Sequence, residues 1–206
     1  MTATTEAAAP GFTLHLPPRW IPLERRPDRV EAQARAILTQ RLGPAGGDAR
    51  RRRELERDLA AALRGASARE VRLAALLVEM TTDGLPVLAA FTLTTHAMPP
   101  TGVAGLLQPD ATRIGERVAA VELPFAGSAV KVAYRDRVRP PLPRGRGGAG
   151  MSPAPVTVAV TQHLVPHPDG RRVVVATGLT PTLALAGAFE VLFDALAATL
   201  RLSTAE

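Results

Sequence analysis

The sequence predicts an α+β domain: a twisted antiparallel sheet of about six strands in hairpins, packed against N-terminal helices and a long C-terminal helix. Three observations point there. Val156–Val165 and Arg172–Thr177 are β-branched-rich runs flanking the turn Pro166-His167-Pro168-Asp169-Gly170. Gly178-Leu179-Thr180-Pro181 then leads into a helix with an apolar face. Two earlier pairs of apolar runs surround Thr82-Asp83-Gly84 and Pro124-Phe125-Ala126-Gly127-Ser128, which are turn signals of the same kind.

Taken in order, residues 1–10 read as a disordered tail, and 11–202 as a single domain. Phe12, Leu14 and Leu16 alternate with Thr13 and His15, the pattern of a half-buried strand ended by Pro17-Pro18. Trp20 and Ile21 should tuck beneath the sheet edge. Asp28 and Glu31 have capping-box spacing, and Val30, Ala34, Ile37 and Leu38 give a helical stripe that Gly43-Pro44 ends. A second helix should start near Asp48, bury Leu55, Leu59, Ala62 and Leu63, and stop at Gly65.

Val71–Met80 fits two periods. Ser67 and Glu70 have capping-box spacing and Val71, Ala74, Ala75 and Val78 suit a helix, but the Asp83-Gly84 turn decides for a strand paired with Val87–Thr95. Val103–Leu107 reads as a short helix. Val118–Leu123 and Ala129–Arg137 form the next hairpin. Arg139–Pro155, rich in Pro, Gly and Arg, has almost nothing to bury and reads as a mobile surface loop. Thr180 suits an N-cap with Pro181 at the first helical position. Leu185, Phe189, Leu192, Phe193, Leu196 and Leu200 would line the closing helix.

Composition narrows the chemistry. A chain of 206 residues buries roughly 70% of its unfolded surface. Hydrophobic residues make up 46% and aromatics 3%, so Leu, Val and Ala must fill the core. Trp20 and Tyr134 offer no stacking platform for bases. The net charge is +6, but Lys131 is the only lysine among many arginines, a skew that resembles GC-rich coding more than selection for nucleic acid. With no cysteine, disulfides, thiolate catalysis and Cys-ligated metals are excluded. Met1–Pro10 lacks a basic or apolar signal region, and no stretch reaches about 18 apolar residues. The expectation is a soluble cytoplasmic protein.

No catalytic motif stands out. His163 and His167, four apart, fall at a strand end and its turn, where that spacing spans roughly 13 Å and forbids chelation. With His15 and His96 they read as solvent or edge histidines. Asp and Glu fall mainly on the predicted helices, as solvated faces do. GxSxG, Walker and GxGxxG patterns are absent from the sequence, and Gly127-Ser128 reads as turn chemistry. Neither catalytic, cofactor-binding nor metal-ligating residues are therefore expected.

The charge clusters are the surface features most apt for a partner. Arg50, Arg51, Arg52 and Arg53 could clamp phosphates, but Glu54, Glu56 and Asp58 follow at once, as on a solvated helix face. Arg139, Arg144 and Arg146 sit in the Pro/Gly/Arg-rich loop. Arg137-x-x-Pro140-x-x-Pro143 matches a polyproline recognition pattern by composition alone.

The entry Phe12-Thr13-Leu14-His15-Leu16-Pro17-Pro18-Arg19-Trp20 and the closing Leu192-Phe193-Asp194-Ala195-Leu196-Ala197-Ala198-Thr199-Leu200 resemble those of PsbP-like and LpqN-type α/β/α-sandwich domains. With the Asp-Gly hairpin, they also resemble a group of uncharacterised actinobacterial proteins. The resemblance covers most of the chain in order and rests on packing motifs. It implies an antiparallel sheet flanked by helices and non-catalytic binding of proteins or small ligands. It carries over no catalytic residue. The LpqN-type relatives are envelope lipoproteins, whereas this sequence has no Cys. The expected function is non-enzymatic binding through a protein partner; a sequence-independent nucleic-acid binder, or a small-ligand carrier or unmarked enzyme, are the alternatives.

Overall fold

β-branched alternation does assemble a sheet. The computed structural model describes residues 5–9, 11–23, 29–42, 53, 71–80, 86–107, 113–138 and 155–203. The described strands and helices are β1 (Thr5–Ala9), β2 (Phe12–Leu16), β3 (Trp20–Pro22), α1 (Val30–Leu42), β4 (Val71–Met80), β5 (Pro86–Ala97), β6 (Ile114–Leu123), β7 (Gly127–Val138), β8 (Val156–Pro166), β9 (Arg172–Thr180), α2 (Ala186–Ala198) and β10 (Arg201–Leu202). A seven-stranded sheet runs β3-β4-β5-β9-β8-β7-β6, antiparallel throughout, and β1-β2-β10 make a small second sheet.

The α+β class and the three hairpins are as the sequence predicts, including a strand over Val71–Met80. The last hairpin does more than close on itself. β9 also pairs with β5, in a register from Ala90↔Leu179 to Ala97↔Arg172, and so joins the two halves of the large sheet.

One face of that sheet holds the main core. Alternation places Leu73, Ala75 and Leu77 of β4, Ala89, Phe91 and Leu93 of β5, and Val174 and Ala176 of β9 in it. Phe189, Phe193, Leu196 and Ala197 of α2 close over them, with Phe12, Leu14 and Leu16 of β2 alongside. Trp20 and three phenylalanines form its aromatic centre. Phe193 lies 6.4 Å from Trp20, 6.2 Å from Phe91 and 5.8 Å from Phe189, between ring centroids.

Gly178 is the tightest point. It lies under the Phe193 ring, where an added Cβ would overlap the aromatic carbons. The opposite face carries a smaller cluster of Val132, Leu164 and Val173, partly covered by Met98, Val103, Leu106 and Leu107. The last four belong to the short helical segment expected there and its flanks, a 3-10 turn over Gly102–Leu106.

Several expectations need correction. Thr5–Ala9 is a strand on β2 rather than part of a disordered tail. Trp20 and Ile21 do not lie beneath the edge: they are the edge, paired with Leu77 and Leu76, and the Trp20 side chain turns inward. Thr180 ends β9 instead of capping the helix, which starts after a 3-10 turn at Leu183–Leu185. Leu185 is therefore 40% exposed and lines no core. The second helix and the Arg139–Pro155 loop lie outside the described residues, apart from Arg53 and Pro155.

Thr180 has another use. Its fully buried hydroxyl donates to the Leu88 carbonyl at 2.6 Å and accepts from the Thr182 amide at 3.0 Å. Valine has the same shape without the hydroxyl. Thr180→Val should cost about 0.5–1.5 kcal/mol, because the Leu88 carbonyl and the Thr182 amide each lose a partner on residues that water can still reach. A urea midpoint unchanged from the native protein would show that neither bond matters.

Candidate functional site

The only lysine sits beside a buried histidine. Lys131 of β7 and His163 of β8 are direct cross-strand partners, so both side chains leave the same face. That face is the one α2 covers. Glu190 and Asp194, four residues apart on α2, lie one turn from each other along the flank that meets these strands.

The result is a line of five ionisable groups. Arg117 of β6 donates to Glu190 Oε2 at 2.7 Å. Lys131 Nζ bridges Glu190 Oε1 at 2.9 Å and Asp194 Oδ2 at 2.7 Å. His163 Nε2 donates to Asp194 Oδ1 at 3.0 Å. The two ends differ most in exposure, from a 70% exposed side chain at Arg117 to 2% at His163, with Asp194 beside the histidine still 40% exposed. Asp194 is an acceptor, so the His163 proton sits on Nε2 and Nδ1 carries the lone pair. That Nδ1 is buried with no hydrogen-bond partner among the described residues.

Environment sets the charge states. Burial lowers the His163 pKa, and Asp194 opposes this without reversing it, so the ring is neutral at physiological pH. Burial alone would lower Lys131 as well, but its hydrogen bonds to Asp194 and Glu190 win and raise it. Burial would raise Glu190, yet the donors Lys131 and Arg117 hold it below the usual carboxylate value. The group is a neutral histidine at the dry end of an ion-pair chain.

A histidine–carboxylate pair beside a lysine has the parts for proton transfer. His163 commits Nε2 to Asp194, its ring is 2% exposed, and the five groups tie α2 to β6, β7 and β8.

A second polar knot holds the β8–β9 turn. Asp169 Oδ1 accepts from the amides of Arg171 and Arg172 at 2.9 and 3.1 Å, and Oδ2 accepts from Arg172 Nε at 2.5 Å. Its slight burial pushes the carboxyl up, but these donors hold it well below the ordinary range. His167 Nδ1 accepts from the Asp169 amide at 3.2 Å. Gly170 takes φ +68°, which closes the turn.

The expectations are corrected at His163, His167, Glu190 and Asp194, whereas His15 is exposed as expected. His163 and His167 are buried rather than solvent or edge groups, and each meets a different carboxylate. Glu190 and Asp194 sit on a helix as expected, but face strands instead of water. Among the described residues no three His, Asp or Glu side chains gather closely enough to hold a metal ion. Gly127, at φ +80°, and Ser128, whose hydroxyl bonds Glu122, do serve the turn. Of the anticipated partner surface, Arg53 is an exposed helical residue; Arg50, Arg51, Arg52, Arg139, Arg144 and Arg146 lie outside the described residues.

Two sequence signals mark the network. Glu190 and Asp194 have the four-residue spacing of a single helix flank, and Thr161, His163 and Val165 share one face of β8. Compared with known proteins, the chain matches no protein-family model and no curated protein.

Proposed function

We propose that the protein is a non-enzymatic cytoplasmic binding or accessory protein that acts through a protein partner, received on the outer side of α2. One observation carries this reading. The solvent side of α2 is apolar, with Ala188, Val191 and Ala195 exposed at helical spacing and Leu185 just before them. Val191 is 68% exposed and Leu185 40%. A surface helix ordinarily turns charges to water. Here both acidic residues of the helix are drawn sideways into the ion-pair chain, so the outer stripe has none.

The network supports the reading energetically. A helix pinned at Glu190 and Asp194 presents its stripe without first paying ordering entropy, and preorganisation of that kind raises affinity. The resemblance to PsbP-like and LpqN-type domains points to the same class. Nucleic-acid binding is less well supported, because Arg19, Arg113, Arg117 and Arg172 are each engaged by a carboxylate. No described helix is long and apolar enough to cross a membrane.

Leu185→Glu together with Val191→Glu tests the stripe. Exposed substitutions of this kind usually stay within about 0.5 kcal/mol of native stability. The double variant should keep its melting midpoint and lose at least about tenfold in partner recovery by affinity purification from the native host. Recovery of the same partners in the same amounts would remove this surface.

A further inference from the structure

Past the ion-pair chain, β7 carries two more arginines. Arg135 and Arg137 alternate onto the face that Lys131 and Ala133 occupy, the side of the sheet that α2 covers. Both are exposed, and among the described residues neither guanidinium meets a carboxylate. Arg117 and Lys131 share that face, but their charges are offset by Glu190 and Asp194.

Register places the pair relative to the helix. Ala159 of β8 opposes both Arg135 and Thr180, so Arg135 lies level with the end of β9, from which the chain rises into α2. Asp194 meets Lys131 and His163, whereas Glu190, one turn nearer the N-terminus, also reaches Arg117, the strand partner of Ala133. The N-terminal end of α2 therefore points toward Arg135, about 13 Å along β7 from Lys131. Leu185 and Ala188 of the outer stripe lie at that end, and the first turn of α2 has no acidic residue. Apolar surface and unpaired positive charge are neighbours there.

We propose that the partner received on α2 is an acidic protein segment. It would be an amphipathic helix, with its apolar side on Leu185, Ala188, Val191 and Ala195 and its carboxylates on Arg135 and Arg137. This rests on the α2 reading and adds the chemistry of the partner. The argument is charge complementarity: two cations beyond one end of an apolar stripe match carboxylates beyond one end of an apolar segment. Arg135 and Arg137 stand about 7 Å apart along the strand. Acidic residues three or four apart on a helix have Cβ atoms about 5–6 Å apart, so one helix face can serve both arginines. Each guanidinium can hold its carboxylate as a bidentate fork. A nucleic acid would satisfy the arginines but set its phosphates against the stripe. A membrane would gain little from a stripe of alanine, valine and leucine that carries no aromatic ring.

Arg135→Glu with Arg137→Glu should keep the native melting midpoint, as exposed substitutions do, and lose at least about tenfold in partner recovery from the native host at about 50 mM salt. Arg135→Lys with Arg137→Lys keeps the charges and adds two amines. A carbodiimide, which joins an amine to a carboxylate in contact with it, should then link positions 135 and 137 to Asp or Glu side chains of a recovered protein. Loss of partners from Leu185→Glu with Val191→Glu, but not from the arginine reversal, would overturn this inference and leave the α2 reading standing. Unchanged recovery from the stripe variant would remove the α2 reading and this inference with it. The inference also fails if no such links form, if nuclease abolishes recovery, or if the native protein binds phosphatidylcholine vesicles containing phosphatidylglycerol and the arginine reversal does not.

Discussion

Phe193→Ala should be among the most damaging single substitutions in this chain, costing about 3–5 kcal/mol. The ring is 1% exposed and touches the aromatic groups of Trp20, Phe91 and Phe189, so its loss opens a cavity bordered by three large rigid side chains. Rigid walls relax poorly, which places the cost at the upper end. Gly178→Ala attacks the same contact from the other side. A methyl group there overlaps the Phe193 ring, and overpacking of this kind costs about 1–3 kcal/mol. The two effects should not add. Once Phe193 is alanine, the methyl group at position 178 enters space the ring has left, and Gly178→Ala becomes close to neutral. A double-mutant cycle by urea denaturation measures this coupling. Strict additivity would mean that Phe193 does not hold Gly178 to glycine.

The same contact shows what a sequence can and cannot reveal. Gly178 reads as part of a link between hairpin and helix, because glycine in an apolar run usually signals a bend. Its real role depends on a ring fifteen positions later that comes to rest on it. Val71–Met80 was decidable because the adjacent Asp83-Gly84 turn outweighed a helical period; Trp20–Pro22 was not, being too short for any alternation to show. Thr5–Ala9 is mostly alanine, so only its pairing with β2 makes it a strand. The ion-pair chain was half legible. The spacing of Glu190 and Asp194 marks one helix flank, but Lys131 and His163 lie 63 and 31 positions from Asp194, and only the sheet register brings them together. A place at a strand end and its turn reads as exposed, yet His163 and His167 are buried. The face shared with Val165 was the better guide.

Stability should fall on both sides of a neutral plateau, and this network sets part of each slope. His163 has a folded pKa below its ordinary 6.5, so the unfolded chain takes up the proton first. Its contribution is complete above about 6.5 and is lost as the pH falls from there toward the folded value. Glu190, also lowered, acts in the same direction at more acid pH, below the ordinary 4.5. Lys131 is raised, so its contribution is complete below 10.5 and is lost as the pH rises through the folded value. Asp194 joins Lys131 and His163 at the centre of the network. His163→Gln keeps an amide donor for Asp194 but removes the titration. Urea midpoints for that variant should decline less between about pH 7.5 and 5.5 than for the native protein, while the fall at lower pH persists. Lys131→Met leaves Glu190 and Asp194 without their shared cation. Full burial would make that loss about 3–5 kcal/mol, but side chains 24% and 40% exposed recover part of it from water, leaving about 1–3 kcal/mol. It should also start the acid decline at higher pH, because the lysine no longer holds Glu190 down. If His163→Gln declines as steeply as the native chain, the buried ring is not the group that titrates.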